Sequence, residues 1–280
     1  MVRVGVVGWP IKHSRSPVIF EHWFHRYGIE ATYERIPVSP DDAPAFFKSL
    51  PPEFHGVNVT VPHKEMAAAN AIIPPAEAPL ASANTLWRGP PDDPRVFGAS
   101  SDGGGFIANL AAADPAWWAT MFGPGPDRPV VILGAGGAAA AIVNALSAHT
   151  GEIIVVNRTH ARAEALCARL GTGALTAADI QTLPSHLERA KLLINATTLG
   201  MTGAPPLTID LSPLPADAMV TDIVYTPLTT PLLAAAAARG LRTVDGLGML
   251  LHQATLGFEK WFGIAPEVDA GLRAAVDATL

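Results

Sequence analysis

The chain has 280 residues, 49% of them hydrophobic and 16% charged, which supplies a core and excludes a disordered polymer. A formal net charge of −6 gives no basic face for nucleic acid, and no apolar run reaches the ~18 residues that a membrane-crossing helix needs. Cys167 is the only cysteine, so no disulfide closes within the chain, no cysteine cluster can hold zinc, and no metal is expected.

The opening VRVGVVG (2–8) reads as a strand, because no basic region leads into a cleavable apolar stretch; a cytoplasmic protein is the expectation. SPVIFEHWFHRYG (16–28) has apolar residues at helical spacing before a terminating glycine. ATYERIPV (31–38) is a second strand, DDAPAFFKSL (41–50) a second helix and FHGVNVTV (54–61) a third strand rich in β-branched residues. Strands alternating with helices predict a parallel sheet covered on both faces. GPPDDP (89–94) is a turn-forming loop within this first unit, and MFGPGPDRP (121–129) is a stronger break. The alternation then restarts with VVILG (130–134), AAAAIVNALSAH (138–149), EIIVVN (152–157) and HARAEALCARL (160–170). KLLIN (191–195) and AMVTDIVY (218–225) are further strands, and the pattern from Leu247 to Leu280 is helical. Cys167 falls within a helical pattern, where a buried inert thiol is expected.

Gly134, Ala135, Gly136, Gly137, Ala138 and Ala139 directly follow the strand VVIL and open an alanine-rich helix, the context a dinucleotide-binding turn requires. Gly134 allows the tight turn, Gly136 lets the backbone approach a pyrophosphate at the helix N-terminus, and small Ala139 lets the helix sit close on the sheet. The next strand ends in Asn157, Arg158 and Thr159, where an NAD-binding chain would carry an acid for the ribose hydroxyls. Glu152 lies at the wrong end of that strand, and Arg162 follows one helical turn after Arg158. Two guanidiniums suit a 2′-phosphate, so the cofactor read from these residues is NADP(H).

The first hundred residues place small polar side chains just after strands: Ser14 and Ser16 in GWPIKHSRSP, Asn58, Thr60 and Lys64 in NVTVPHK, Asn84 in SANTL, and Ser101 and Asp102 in SSDG. Such a set suits a small polyhydroxylated substrate, with Lys64 able to face its carboxylate or reacting oxygen. His13 titrates near neutrality and is the competing acid–base group; it and His63 are read as structural.

Together PIKHSRSP, NVTVPHK, the glycine turn with NRT, NATTLGM (195–201), DIVYTPLTTP (222–231) and DGLGMLLHQA (245–254) resemble the shikimate dehydrogenase family over nearly the whole chain. The resemblance implies an α/β chain of two domains: an N-terminal α/β substrate domain, 1–104 plus 250–280, and a Rossmann-type NADP-binding domain, 105–249. The C-terminal helices are expected to return to the first domain, because Gln253 must reach the substrate. Carried over by motif, Ser14, Ser16, Asn58, Thr60, Lys64, Asn84, Asp102, Tyr225 and Gln253 contact substrate, and Lys64 with Asp102 forms the catalytic pair. Thr197, Gly248 and Met249 border the cofactor beside the glycine turn and the arginine pair. The implied reaction interconverts 3-dehydroshikimate and shikimate, in a monomer or homodimer with no nucleic-acid or membrane partner. Ser100 and Ser101 stand where the family carries Asn and Thr, which keeps open a relative acting on quinate or another ring acid, or a ligand-binding relative without turnover.

Overall fold

The computed structural model describes residues 1–123, 128–171 and 173–280; the centre of the proline-rich break at 121–129 lies outside the described residues. The chain divides into two compact units, Met1–Asp102 with Leu251–Thr279, and Gly103–Leu250 with Leu280.

The first unit opens with β1 (Val2–Gly8), α1 (Ser16–Tyr27), β2 (Ala31–Pro37), α2 (Ala43–Lys48), β3 (Gly56–Val59) and α3 (Lys64–Ala69), followed by β4 (Thr85–Arg88) and β5 (Val96–Ala99). Its sheet runs β2-β1-β3-β4-β5. β1 pairs in parallel with β2 and β3, whereas β4 pairs antiparallel with β3 and β5 antiparallel with β4. The sheet is therefore mixed, which corrects the expectation of a parallel one. The GPPDDP loop joins β4 to β5 as a hairpin, because a parallel crossover needs about a dozen residues or more.

In the second unit α4 (Asp102–Ala113, its first residue in the first unit) and α5 (Pro115–Met121) precede β6 (Val130–Leu133), α6 (Gly137–Leu146), β7 (Glu152–Val156), α7 (His160–Leu170), β8 (Ala174–Ala178), α8 (Leu183–Leu187), β9 (Leu192–Asn195), β10 (Met219–Asp222), α9 (Pro231–Ala238) and β11 (Arg242–Val244). All six strands are parallel, in the order β11-β10-β9-β6-β7-β8. This is the doubly wound arrangement, and its strand order reverses between β6 and β9, where ligands bind outside the carboxyl ends of strands. Val130, Val131, Ile132, Leu192, Leu193 and Ile194 are all 0% exposed, as strands covered on both faces require.

α10 (Leu247–Gln253) brings the chain back to the first unit, and α11 (Thr255–Phe262) and α12 (Ala270–Asp277) complete it. Phe258 of α11 joins an aromatic cluster with Phe20, Trp23 and Phe24 of α1. Each such fully buried side chain contributes roughly 1.5–3 kcal/mol of hydrophobic stabilisation. Trp261 Nε1 donates to Leu86 O at 3.0 Å, directly above Gly56, where a Cβ would lie 1.9 Å from that nitrogen. Glycine at position 56 is thus what lets α11 seat on the sheet.

Candidate active site

In the first unit the polar residues gather at the carboxyl ends of β1 and β3 and around β4. Lys64 is the first residue of α3, where the helix dipole disfavours a cation. Its ammonium Nζ donates to Asp102 Oδ2 at 2.5 Å, and Asp102, buried at the start of α4, sits where the dipole favours an anion. The pair is held from the other side by Asn84, whose Nδ2 donates to Asp102 Oδ1 at 2.8 Å and to Gln253 Oε1 at 3.2 Å. Asn84 Oδ1 in turn accepts from Ser101 N at 2.8 Å and Ser101 Oγ at 3.0 Å. Residues separated by up to 169 positions thus form one network around a lysine whose side chain keeps 23% exposure.

A second group lies alongside. Asn58 Nδ2 donates to Asn84 O at 3.2 Å and to Thr85 Oγ1 at 3.1 Å, while its Oδ1 accepts from Tyr33 OH at 2.8 Å. Ser14 Oγ donates to Ser16 Oγ at 3.3 Å, and Arg35 fixes that loop by two hydrogen bonds to Ser14 O, at 2.8 and 3.2 Å. Thr60 follows β3 and is half-buried. His63 is buried with Nε2 2.7 Å from Val38 O, a structural contact that turns it away from Lys64. His13 is exposed and has no hydrogen bond or ion pair among the described residues, so it is not the structural group expected from the sequence. Ser100 N donates to Glu77 Oε2 at 2.6 Å, and its own hydroxyl is buried without a partner.

In the second unit the glycine turn links β6 to α6. Gly134 has φ +112°, a conformation that side chains disfavour, and a Cβ there would lie 2.9 Å from Ala196 O. Gly136 is the N-cap of α6, and a Cβ on it would meet nothing within 4 Å, so open space lies before the helix N-terminus. Ala139 is fully buried against the sheet. At the tip of β7, Asn157 Nδ2 donates to Thr159 O at 2.9 Å, shaping the entry to α7. Arg158 and Arg162 are exposed, their guanidiniums making no hydrogen bond or ion pair among the described residues, and no acid stands at the strand tip to accept from a ribose. Cys167 is half-buried rather than buried, because it sits at the edge of α7's apolar face; desolvation pushes its thiol pKa up.

A network missed from the sequence supports the loops after β9 and β10. Asn195 Oδ1 accepts from Thr197 N at 3.0 Å and Thr197 Oγ1 at 2.7 Å, and Asn195 Nδ2 donates to Asp222 Oδ1 at 2.9 Å. Asp222, 0% exposed, also accepts from Val224 N at 3.0 Å and Thr230 Oγ1 at 2.8 Å; burial pushes its pKa up. A lone acid ending the apolar strand MVTD was the available signal. Tyr225 follows on that loop, half-buried. Gly248 packs on Asn109, where a Cβ would lie 1.8 Å from Oδ1, and Met249 is buried. The structure therefore brings Ser14, Ser16, Asn58, Thr60, Lys64, Asn84, Asp102 and Gln253 into one unit, while Tyr225 and all the residues read as cofactor contacts belong to the other.

Residues 6–86 match the family model of the shikimate dehydrogenase substrate binding domain, 119–201 that of shikimate / quinate 5-dehydrogenase, and 246–276 that of the shikimate 5′-dehydrogenase C-terminal domain. The chain is 47% identical over 283 residues to shikimate dehydrogenase (NADP(+)) of Azorhizobium caulinodans, covering 100% of this chain and 97% of that one. Among solved structures, shikimate 5-dehydrogenase of Thermus thermophilus, in complex with NADP(H) and shikimate, is similar at TM-score 0.83 and 33% identity over 100% of both chains. Quinate dehydrogenase of Corynebacterium glutamicum, in complex with NAD, is similar at TM-score 0.85 and 28% identity over 98% of both chains. With both units matched and identity of this order along its full length, the chain belongs to the shikimate dehydrogenase family.

Proposed function

We propose that the chain is an NADP(H)-dependent shikimate dehydrogenase that reversibly reduces 3-dehydroshikimate to shikimate. The observation that carries this reading is the Lys64–Asp102 pair: an ammonium held at 2.5 Å by a buried carboxylate, itself fixed by Asn84. When bound, NADPH would supply hydride chemistry at the substrate carbonyl carbon. Lys64 donates a proton to the carbonyl oxygen as negative charge develops there, and regains it from solvent after product leaves. Asp102 keeps the ammonium aimed and has carboxylate lone pairs left to accept from the new hydroxyl. Ser14, Ser16, Asn58, Thr60, Asn84, Gln253 and Tyr225 are the proposed substrate contacts.

The cofactor-binding set fits NADP(H) on two features of this chain: open space before the N-terminus of α6, and two exposed, unpartnered guanidiniums at the tip of β7. Gly134 to Ala138 would hold the pyrophosphate, Asn157 to Thr159 with Arg162 the 2′-phosphate, and Thr197, Gly248 and Met249 the nicotinamide end. The relatives' names support both reactants. Quinate is the second reading, favoured by Ser100 and Ser101 and by the likeness to quinate dehydrogenase. Ser101, however, keeps a hydroxyl on Asn84. We further take the chain to act in the cytoplasm as a monomer or homodimer, without nucleic-acid or membrane partners; a net charge of −6 argues against a nucleic-acid partner, and among the described residues no helix is long and apolar enough to cross a membrane. Steady-state oxidation of shikimate and of quinate, each with NADP⁺ and NAD⁺, tests the proposal: shikimate with NADP⁺ should give the highest kcat/KM, and preference for quinate or for NAD⁺ would overturn the corresponding half.

A further inference from the structure

One of the proposed substrate contacts, Asn58 on β3, meets a buried group, the phenol of Tyr33 on β2. β2 and β3 flank β1, so the phenol reaches across a whole strand to donate to Asn58 Oδ1 at 2.8 Å. Asn58 makes two further hydrogen bonds, to Asn84 O and Thr85 Oγ1. The direction of these bonds follows from what cannot donate. The Asn84 carbonyl only accepts, so the Asn58 atom 3.2 Å from it is the amide nitrogen, which also donates to Thr85 Oγ1 at 3.1 Å. Both amide hydrogens are then engaged, Oδ1 faces the phenol, and Asn58 has a single acceptor lone pair left for a ligand. The Tyr33 ring is 7% exposed and stacks on Phe20 with centroids 4.1 Å apart, so the phenol cannot swing away. Burial pushes its pKa far above the ordinary phenol value, which keeps it neutral and restricts it to hydrogen bonding.

We propose that Tyr33 is a positioning residue for the substrate site: its phenol locks the Asn58 amide in the orientation that offers Oδ1 to a substrate hydroxyl. The proposal rests on the functional reading above. Without the phenol the Asn58 carbonyl oxygen loses its donor, and the substrate hydroxyl meets an amide held by its nitrogen alone. The loss falls on the ring acid and not on the nucleotide.

Tyr33→Phe is the test, measured by steady-state kinetics with whichever acid the wild type oxidises. KM for the acid should rise about tenfold, the effect of one buried hydrogen bond, with kcat within about threefold and KM for NADP⁺ unchanged. An unchanged KM for the acid, or equal rises in both KM values with a lowered Tm, would overturn the positioning role. The same comparison in an Asn58→Ala background covers the case in which Tyr33→Phe alone does not fold, because the double variant leaves neither partner unsatisfied. There, Tyr33→Phe should change KM by less than about twofold, and a further tenfold rise would show that Tyr33 acts elsewhere. A wild-type protein that oxidises neither acid would instead overturn the functional reading itself.

Discussion

At the scale of single residues, Lys64 and Asp102 are coupled strongly enough for their substitutions to separate chemistry from binding. Lys64→Ala removes the proton donor while leaving the second unit's nucleotide residues untouched. Turnover should fall by about 10²–10⁴-fold with NADP⁺ affinity within about twofold, as read by single-turnover kinetics and fluorescence titration. Unchanged turnover would remove Lys64 from the mechanism. Asp102→Asn strands the ammonium beside a neutral amide in a partly buried site, and should lower both Tm and kcat. Ser101→Ala deletes one of two hydrogen bonds from residue 101 to Asn84 Oδ1, and should reduce kcat/KM for the acid about fivefold. These residues were legible one at a time, because hydroxyls, amides and a lysine stand just after strands. Their partnerships were not. Nothing in the sequence joins Asn84 to Gln253, and Tyr33 reads as one more core aromatic until its hydroxyl is located.

At the scale of elements, the turn from β6 to α6 makes a sharper test than a single deletion. Gly134 and Gly136 are both glycines of the nucleotide turn, yet their surroundings differ. A methyl at 134 meets Ala196 O at 2.9 Å and a φ of +112°, whereas one at 136 meets nothing within 4 Å. Gly134→Ala should therefore destabilise the protein by about 1–3 kcal/mol, seen as a lowered Tm. Gly136→Ala should leave Tm unchanged and raise KM for NADP⁺, because its methyl enters only the space a pyrophosphate takes. Equal effects on Tm would sink this distinction. At β7 and α7, Arg158→Ala with Arg162→Ala should raise KM for NADP⁺ by about tenfold or more and leave the NAD⁺ reaction alone. The long helices were readable from periodicity, as α1 illustrates, and β6 from its unbroken apolar run. β4 (TLWR) and β5 (VFGA) are too short to set a period, and β8 (ALTAA) has an alanine-rich composition that favours helix, so only pairing with β7 makes it a strand.

At the scale of the molecule, the two units close separate accounts of burial. The first is built on the aromatic cluster of α1 and α11, the second on a sheet of Val, Ile and Leu covered on both faces. The Rossmann-type character of the second was legible because the glycine turn stands between an apolar strand and an alanine-rich helix and the strand–helix alternation continues after it. The mixed sheet of the first was not, since a hairpin across GPPDDP and a seat for Trp261 over Gly56 depend on partners far along the chain. A ligand held by residues of one unit stabilises that unit by mass action: about 2.7 kcal/mol at a concentration of 100 Kd, a roughly 100-fold slowing of exchange for amides that need the unit to open. Hydrogen exchange should report this unit by unit. NADP⁺ alone should protect the amides around 134–140 and 156–162, and shikimate alone those around 57–60, 84–85 and 101–102. If shikimate alone protected 134–140 and left 57–60 and 84–85 unchanged, the assignment of the acid to the first unit would be wrong. If NAD⁺ protected 156–162 as strongly as NADP⁺ does, Arg158 and Arg162 would have no part in choosing the cofactor.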